Sequence, residues 1–395
     1  ARFADDGGAD SGTSYVVFGD DGGFPSIIDL GALNGTDGFA IEGGLAGDES
    51  GRAVGAAGDV NGDGVADIII GAINADPNGE TDAGQAYIVY GNDSGFGASV
   101  DLGAINGTNG ISIAGLTAGD QLGTAVSGIG DINDDGIDDF IISAIGADPS
   151  GNSQAGEAYV IFGGSSLGAD FDLASLNGTN GFVVSGLATG NQAGVSVAGG
   201  ADVNGDGIAD FIIGSNTADG NGAEDSGQSY VIFGEDGGFD ASYDVLGLDG
   251  TNGYILSGVA AGDRSGESVD LIGDVNGDGI DDILIGAIGA DGFTGTSYVV
   301  FGTSGSPGGR RDLCRRGGAA GRRRAGRFLR YGRHDSEDLP DRPGTAANSQ
   351  RIRGRPRLPL QARQRPALAH SGGGDGGDRR RRWLALRRQH PRHDH

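Results

Sequence analysis

The sequence predicts an all-β fold, a β-propeller of four-stranded antiparallel blades with calcium-binding hairpin loops. Three observations predict it. A nine-residue acidic stretch occurs four times, and its copies start 72, 71 and 72 residues apart. A short β-branched run follows each copy, and Gly- and Asp-rich turns separate further short apolar runs without a helical period. Repetition at a fixed spacing makes each copy part of one structural unit.

The third copy shows the order of strands within a unit. Residues 194–198 (GVSVA), 211–213 (FII), 230–233 (YVIF) and 254–256 (YIL) predict four short strands. Four strands per unit favour a propeller, in which radial packing buries the sheet faces, whereas the coils of an open β-solenoid are much shorter than 71 residues. The third strand contains a tyrosine in every copy: Tyr15, Tyr87, Tyr159, Tyr230 and Tyr298.

The nine-residue loop carries oxygen-bearing side chains at positions 1, 3, 5 and 9, and its apolar position 7 can offer a backbone carbonyl. Such a loop suits calcium, which takes six to eight oxygens at about 2.3 to 2.6 Å. No His or Cys lies near, which disfavours zinc, copper and iron, and magnesium usually keeps several waters. The predicted metal ligands are Asp59, Asn61, Asp63, Val65 and Asp67; Asp131, Asn133, Asp135, Ile137 and Asp139; Asp202, Asn204, Asp206, Ile208 and Asp210; and Asp274, Asn276, Asp278, Ile280 and Asp282.

The loop has two alternative interpretations. An EF-hand needs a bidentate Glu at position 12, and the sequence has isoleucine at that position in all four copies. A plain hairpin turn is the second alternative, because Asn-Gly and Asp-Gly are common turn dipeptides. Four copies that all keep the four oxygen positions favour the metal loop over the turn.

The charge of the chain is divided into two unlike parts. Residues 1–306 hold 47 acidic and three basic residues, and residues 307–395 hold 24 arginines and eight acidic residues. The repeat region is so acidic that nucleic acid and anionic membranes are not expected as partners. It has no Cys, His, Lys, Met or Trp, so disulfides and imidazole, thiolate or amine chemistry are excluded there. No apolar run approaches the roughly 18 residues that cross a bilayer, so no membrane insertion is expected.

With these motifs in view, residues 1–306 resemble FG-GAP repeats, the blades of the integrin α-subunit propeller and of many secreted bacterial proteins. The resemblance rests on the acidic loops, on the Gly71-Ala72 and Gly286-Ala287 pairs and on an upstream Gly-x-x-Val pattern. The phenylalanine and proline of the family's name are replaced, which points to a divergent bacterial version. The resemblance implies a propeller that usually has seven blades, with calcium in the hairpins and ligands bound at the opposite face.

The two ends of the chain depart from the repeat. Residues 1–19 match the segment that ends at Gly302, so residue 1 is expected to fall inside a repeat whose first half is missing. After residue 306 the periodicity stops and arginine becomes abundant; the leading hypothesis for 307–395 is a shifted reading frame. The alternative is a disordered arginine-rich arm that binds nucleic acid or folds back on the acidic repeats. Cys314, His334 and Trp383 are given no site role.

These observations lead to one favoured function and two rivals. The favoured function is a non-enzymatic, calcium-binding extracellular propeller, secreted or on the cell surface, which binds a protein or glycan ligand in adhesion. The first rival is the propeller portion of a larger secreted hydrolase whose catalytic domain lies outside this sequence, because the repeats contain no base-and-nucleophile arrangement. The second is a structural spacer in a large surface protein.

Overall fold

The structure is a computed structural model that describes residues 1–165, 167–304, 311–312 and 329–330. The described residues are all-β, as the sequence predicts. Apart from 311–312 and 329–330, the tail 307–395 lies outside the described residues, and so do Cys314, His334 and Trp383.

The strands form one partial unit and four consecutive units of the same design. The partial unit has two strands, and the other units have four, which follow one another along the chain. The partial unit comprises β1 (Thr13–Val17) and β2 (Gly38–Glu42). The first unit comprises β3 (Ser50–Gly58), β4 (Asp67–Ala72), β5 (Gln85–Val89) and β7 (Gly110–Ala114). The second comprises β8 (Leu122–Gly130), β9 (Asp139–Ala144), β10 (Glu157–Ile161) and β12 (Gly181–Ser185). The third comprises β13 (Ser196–Ala201), β14 (Asp210–Ser215), β15 (Gln228–Ile232) and β17 (Gly253–Ser257). The fourth comprises β18 (Ser265–Leu271), β19 (Ile283–Ala287), β20 (Thr296–Val300) and β22 (Leu329–Arg330).

Each unit is an antiparallel meander. In the first unit β3 pairs with β4, β4 with β5 and β5 with β7, all antiparallel. The register is the same in the next unit, because Tyr87 lies opposite Ile70 and Tyr159 lies opposite Ile142. The four predicted strands of the third unit are confirmed, although the first begins at Ser196 rather than 194. Gly194 still donates to the Gly214 carbonyl, but its φ of +93° interrupts the strand.

A short parallel strand joins each sheet to the next unit along the chain, and the sequence did not reveal it. The segment between the third and fourth strands of a unit leaves its own sheet and pairs with the last strand of the preceding unit. These strands are β6 (Ser99–Asp101) on β2, β11 (Asp170–Phe171) on β7, β16 (Ser242–Tyr243) on β12 and β21 (Arg311–Asp312) on β17.

Stacked phenylalanines reinforce this connection between units. Phe96 stacks on Phe39 at 4.1 Å between ring centroids, and Phe239 stacks on Phe182 at 4.5 Å. Each pair joins the segment before the parallel strand to the fourth strand of the preceding unit. Stacked aromatic pairs contribute about 0.5–1.5 kcal/mol beyond their buried area.

Helices are short in the described residues. One four-residue α-helix spans Ala290–Phe293. The 3-10 helices are Leu30–Ala32, Pro77–Gly79, Leu102–Ala104, Pro149–Gly151, Leu173–Ser175, Gly220–Gly222 and Val245–Gly247. No helix in these ranges has the length and apolarity needed to cross a lipid bilayer.

The hydrophobic core lies between successive sheets. Alternate residues of one strand face opposite neighbours: Phe140 and Ile142 pack with the first unit, whereas Ile141 packs with the third. Both faces of the central sheets are therefore buried, which explains why the second strand of each unit is a continuous apolar run. Successive sheets that pack face to face in this way are consistent with the blades of a propeller.

Glycine allows strands of neighbouring units to approach closely. A Cβ on Gly71 would lie 2.0 Å from the Gly123 carbonyl oxygen, and one on Gly128 would lie 2.5 Å from the Ala57 carbonyl oxygen. Since the neighbouring atoms are backbone, they cannot turn away as a flexible side chain could. These contacts set the distance between sheets.

We expect Gly71→Ala to lower the thermal midpoint of unfolding, because the added methyl group forces the first and second units apart. The cost should be on the order of 1–3 kcal/mol, as for other overpacked sites. Thermal unfolding followed by circular dichroism measures the change. The matched control is Gly97→Ala, where the nearest neighbour of the new Cβ would lie 3.8 Å away. Equal midpoints for the two variants would contradict this account of the sheet spacing.

Candidate metal loops

The candidate site is the nine-residue loop that joins the first strand of each unit to the second. In the first unit it lies between β3 and β4 and begins at Asp59. Its last residue, Asp67, is also the first residue of β4, as predicted. The same is true of Asp139 and Asp210, and Asp282 directly precedes β19.

Position 1 of each loop accepts hydrogen bonds from the loop's own backbone. Asp59 Oδ1 accepts from the N–H of Asp63 at 3.0 Å, and its Oδ2 accepts from the N–H of Gly64 at 2.7 Å. The bond to the glycine at position 6 is kept in the other loops by Asp131, Asp202 and Asp274, at 2.7, 2.9 and 2.8 Å. Gly64 has a φ of +89°, so the turn needs a residue without a Cβ.

Positions 3 and 5 lie beside position 1. Asn61 Oδ1 accepts from the same Asp63 N–H at 2.8 Å, and Asp63 Oδ1 accepts from the N–H of Val65 at 2.9 Å. The oxygens of Asp59 and Asn61 therefore converge on one backbone nitrogen. Three of the predicted side-chain ligands are brought together in this way at the exposed tip of the loop.

Position 9 is buried and binds two backbone segments. Asp67 Oδ2 accepts from the N–H of Val60 at 3.0 Å, and its Oδ1 accepts from the N–H of Gly91 at 2.8 Å, just beyond β5. Asp139, Asp210 and Asp282 each make the same two bonds, and all four side chains are at most 1% exposed. One carboxylate thus joins the loop, the second strand and the end of the third strand.

Burial of these carboxylates changes their proton affinity. Desolvation raises the pKa of Asp67 to about 6 and the pKa of both Asp139 and Asp210 to about 8. Backbone hydrogen bonds oppose the shift, and the negative charges at positions 5 and 1 add to it. The fully exposed Asp274 shows the opposite effect, because hydrogen bonds from the loop backbone, led by that from Gly279, lower its pKa.

The donor set of each loop fits calcium. It consists of three carboxylates, one amide oxygen and the carbonyl at position 7, all hard oxygen ligands. In the described part of the chain, however, the side chains as placed form no group of three or more His, Cys, Asp or Glu residues that could hold a metal ion. Most of the carboxylate oxygens described above already accept backbone N–H groups. Each carboxylate oxygen has two lone pairs, so a hydrogen bond does not exclude a cation on the other. The twenty predicted ligands remain a prediction.

The position 7 residues also have a packing role. The side chain of Val65 lies against Gly91, and that of Ile137 lies against Gly163. A side chain that packs at this point fixes the direction of its own backbone. The apolar character of Ile208 and Ile280, at the same position, is explained in the same way, because their side chains lie against Gly234 and Gly302.

A second set of acidic residues lies near the start of the first strand in most units, and no sequence pattern singles it out. Asp48 is 5% exposed and Asp120 is 8% exposed. Burial is the main reason that the pKa of Asp48 is raised to about 6; a hydrogen bond from Leu45 opposes the shift and the charge of Asp76 adds to it. Asn191 occupies the corresponding position in the third unit, so the fold accepts a neutral amide there.

The model of the FG-GAP repeat matches residues 50–89, 193–232 and 265–300, which are the first three strands and the acidic loop of the first, third and fourth units. The chain contains FG-GAP repeats. The resemblance noted in the sequence is confirmed on these three stretches.

Curated relatives of these FG-GAP repeats are also found. The chain is 31% identical over 166 residues to phosphatidylinositol-glycan-specific phospholipase D of Bos taurus. The aligned region covers 42% of this chain and 18% of the relative. It is 31% identical over 169 residues to the Homo sapiens protein of the same name, with 42% and 18% covered. The Rattus norvegicus protein is 30% identical over 172 residues, with 43% and 19% covered. The matched region therefore spans less than a fifth of each relative.

We expect Asp48→Asn to stabilise the protein above pH 6 and to have little effect near pH 4. The pKa of Asp48 is higher in the folded than in the unfolded chain, so the folded state binds more protons between about pH 4 and pH 6, and stability falls as pH rises through that window. The amide removes this dependence.

Thermal midpoints at pH 4.5, 5.5 and 7.5, measured with a chelator present, test the expectation. The difference between Asp48→Asn and the parent should grow with pH. The exposed Asp21→Asn serves as the control, for which the difference should stay nearly constant. A constant difference for both variants would show that burial of Asp48 does not perturb its ionisation.

Proposed function

We propose that the chain is a calcium-binding β-propeller segment that acts outside the cell, secreted or displayed on the cell surface, in adhesion or ligand binding. It performs no catalysis of its own, and its partner is a protein or glycan on a cell surface or matrix. The observation that carries the proposal is the fourfold repetition of one loop with an all-oxygen donor set and the same hydrogen bonds at positions 1 and 9.

Calcium would be held by positions 1, 3, 5, 7 and 9 of each loop. When bound, it would supply positive charge to a loop tip that carries acidic side chains at positions 1 and 5. The carboxylates of Asp139 and Asp210, whose pKa burial raises to about 8, would then keep their charge at neutral pH, and the strands they join would be held more firmly. Extracellular calcium modules bind with dissociation constants of roughly 10⁻⁴ to 10⁻³ M, which suits calcium levels outside cells.

The composition of the repeats supports a binding role over catalysis. Residues 1–306 contain no His, Cys or Lys, so the usual general bases and nucleophiles other than carboxylate, hydroxyl and phenol groups are missing there. The strongly acidic repeats also disfavour nucleic acid as a partner.

The ligand surface is proposed at the end of the sheets away from the metal loops. There the loops 76–82 and 219–225 connect the second strand of a unit to the third. Each is closed by an aspartate: Asp76 accepts from the N–H of Asp82 at 2.7 Å, and Asp219 accepts from the N–H of Asp225 at 3.0 Å. Ordered loops on a rigid sheet are the usual place for binding residues.

A second candidate function is supported by the relatives. Since the matched relatives are named as phospholipases D, the chain could be the propeller portion of a larger secreted hydrolase, with the catalytic domain outside residues 1–395. Phospholipase D assays on residues 1–306 and on a longer polypeptide translated from the same gene discriminate the two functions. Activity that is absent from residues 1–306 and present in the longer polypeptide would favour the hydrolase.

Calcium should raise the thermal midpoint of unfolding. A ligand that binds only the folded state adds RT ln(1 + [L]/Kd) per site, which is about 1.4 kcal/mol at a concentration ten times the dissociation constant. Scanning calorimetry in millimolar calcium, in millimolar magnesium and with a chelator measures the effect. The same midpoint in calcium and in chelator would contradict metal-supported folding.

Asp206→Ala should remove one bound calcium and leave the other sites intact, because Asp206 is at position 5 of the third loop only. Isothermal titration calorimetry gives the stoichiometry. Asp236→Ala is the matched control, since it removes the same charge from an exposed residue outside the loops. If both variants bind as many calcium ions as the parent, the third loop is only a turn.

A further inference from the structure

The residue at position 8 of the acidic loop alternates along the chain. It is Ala66 in the first loop, Asp138 in the second, Ala209 in the third and Asp281 in the fourth. Position 8 is not a predicted metal ligand. Cation binding by its own loop therefore does not explain why the residue at position 8 alternates.

Each position 8 aspartate contacts the loop of the preceding unit. Asp138 Oδ2 accepts from the N–H of Asp59 at 2.9 Å, and the N–H of Asp138 donates to the Asp59 carbonyl at 3.4 Å. Asp281 does the same to Asp202, with both distances 3.1 Å. Position 1 of the earlier loop is thus held through its N–H and its C=O by one residue of the later loop.

The boundary between the second and third loops lacks half of this contact. The N–H of Ala209 donates to the Asp131 carbonyl at 3.4 Å, so the backbone arrangement is kept. The methyl group of Ala209, however, cannot accept a hydrogen bond from the Asp131 N–H. The loops therefore differ in one side-chain contact while their backbones pack alike.

Position 4 shows the same alternation independently. A Cβ on Gly62 would lie 3.5 Å from Ile137 Cδ1, and a Cβ on Gly205 would lie 3.4 Å from Ile280 Cδ1. The isoleucine of the later loop thus packs against a glycine of the earlier one at the first and third boundaries. At the second boundary the position 4 residue is Asp134, with a φ of +58°.

We propose that the four loops form two coupled pairs, first with second and third with fourth, in which cation binding to one loop raises the affinity of its partner. Asp138 and Asp281 are the positioning residues. The boundary between the second and third loops is not coupled. The inference deepens the proposed function and rests on it, because it assumes that the loops bind cations.

The coupling follows from the position of Asp138 in the chain. It lies between Ile137 and Asp139, two predicted ligands of the second loop, so whatever orders those two residues also orders Asp138. An ordered Asp138 holds the backbone of Asp59, whose own carboxylate is a predicted ligand of the first loop. Cations bound in neighbouring loops repel each other at every boundary, and this repulsion lowers the affinity of a loop whose neighbour is occupied. An increase in affinity therefore requires the position 8 aspartate.

One loop can be observed separately from the others. Tyr90 precedes Gly91, whose N–H donates to Asp67 at 2.8 Å, and the corresponding residues of the other units are Phe162, Phe233 and Phe301. Terbium, which replaces calcium at oxygen sites, emits when a nearby tyrosine is excited. The part of the emission that Tyr90→Phe removes therefore reports on the first loop.

The test is a terbium titration of the chain with and without Asp135→Ala, which disables the second loop. With Asp138 present, this change should raise the half-saturating terbium concentration at the first loop by about fivefold or more, within the usual range for coupled sites. With Asp138→Ala it should cause no such rise, and Asp138→Asn, which keeps an acceptor oxygen, should restore part of it. Asp206→Ala in the third loop is the control and should not affect the first loop.

A gain-of-function variant covers the case in which Asp138→Ala does not fold. In a chain that carries both Tyr90→Phe and Phe162→Tyr, tyrosine-sensitised terbium emission reports on the second loop. In that chain Asp206→Ala should leave the half-saturating terbium concentration of the second loop unchanged. When Ala209→Asp is added, Asp206→Ala should raise that concentration. If the loops bind terbium but the half-saturating concentration shifts equally with and without the position 8 aspartate, or shifts in neither chain, the pairing is overturned. Absence of any Tyr90-sensitised emission would instead overturn cation binding, and the pairing with it.

Discussion

The fold depends on one buried carboxylate per unit. Asp67, Asp139, Asp210 and Asp282 each accept two backbone N–H groups, one from the acidic loop and one from the residue just after the third strand. Removal of such a partner leaves two buried donors unsatisfied, which costs about 1–3 kcal/mol for each group. A single side chain thus holds together the loop, the second strand and the end of the third strand of its unit, and the loop tip carries acids proposed to bind calcium.

The second constraint is the close approach of neighbouring units. Glycines such as Gly71 and Gly128 bring backbone against backbone, while isoleucine, valine and phenylalanine side chains fill the space between sheets. The metal loops of successive units are consequently adjacent, and a backbone hydrogen bond such as that from the Asp138 N–H to the Asp59 carbonyl crosses each boundary between the four loops. Acidic loops that lie side by side repel one another, so bound cations would reduce a repulsion that the arrangement of the sheets creates.

Much of this could be predicted from the sequence because the signals are local and repeated. The alternation of turns and β-branched runs places β4 directly after the first acidic loop, and three of the four units that carry this loop match the FG-GAP repeat. The parallel strand β6 was missed because its partner, β2, lies about 60 residues earlier in the preceding unit, and short-range patterns carry no information on such pairing. Asp48 was missed because its burial is a property of the packed sheets. Asp138 was missed because its contact is with the preceding loop, and the spacing within its own loop does not reveal it.

The central claim is that the four loops hold divalent cations, and the most direct measurement is a crystal structure determined in millimolar calcium, with anomalous scattering to identify the ion. The account predicts a peak in each loop, with oxygens of positions 1, 3, 5, 7 and 9 at about 2.3 to 2.6 Å. In the third loop these are oxygens of Asp202, Asn204, Asp206, Ile208 and Asp210. Loops without a peak, with their carboxylates bonded only to backbone N–H groups at that calcium concentration, would contradict it.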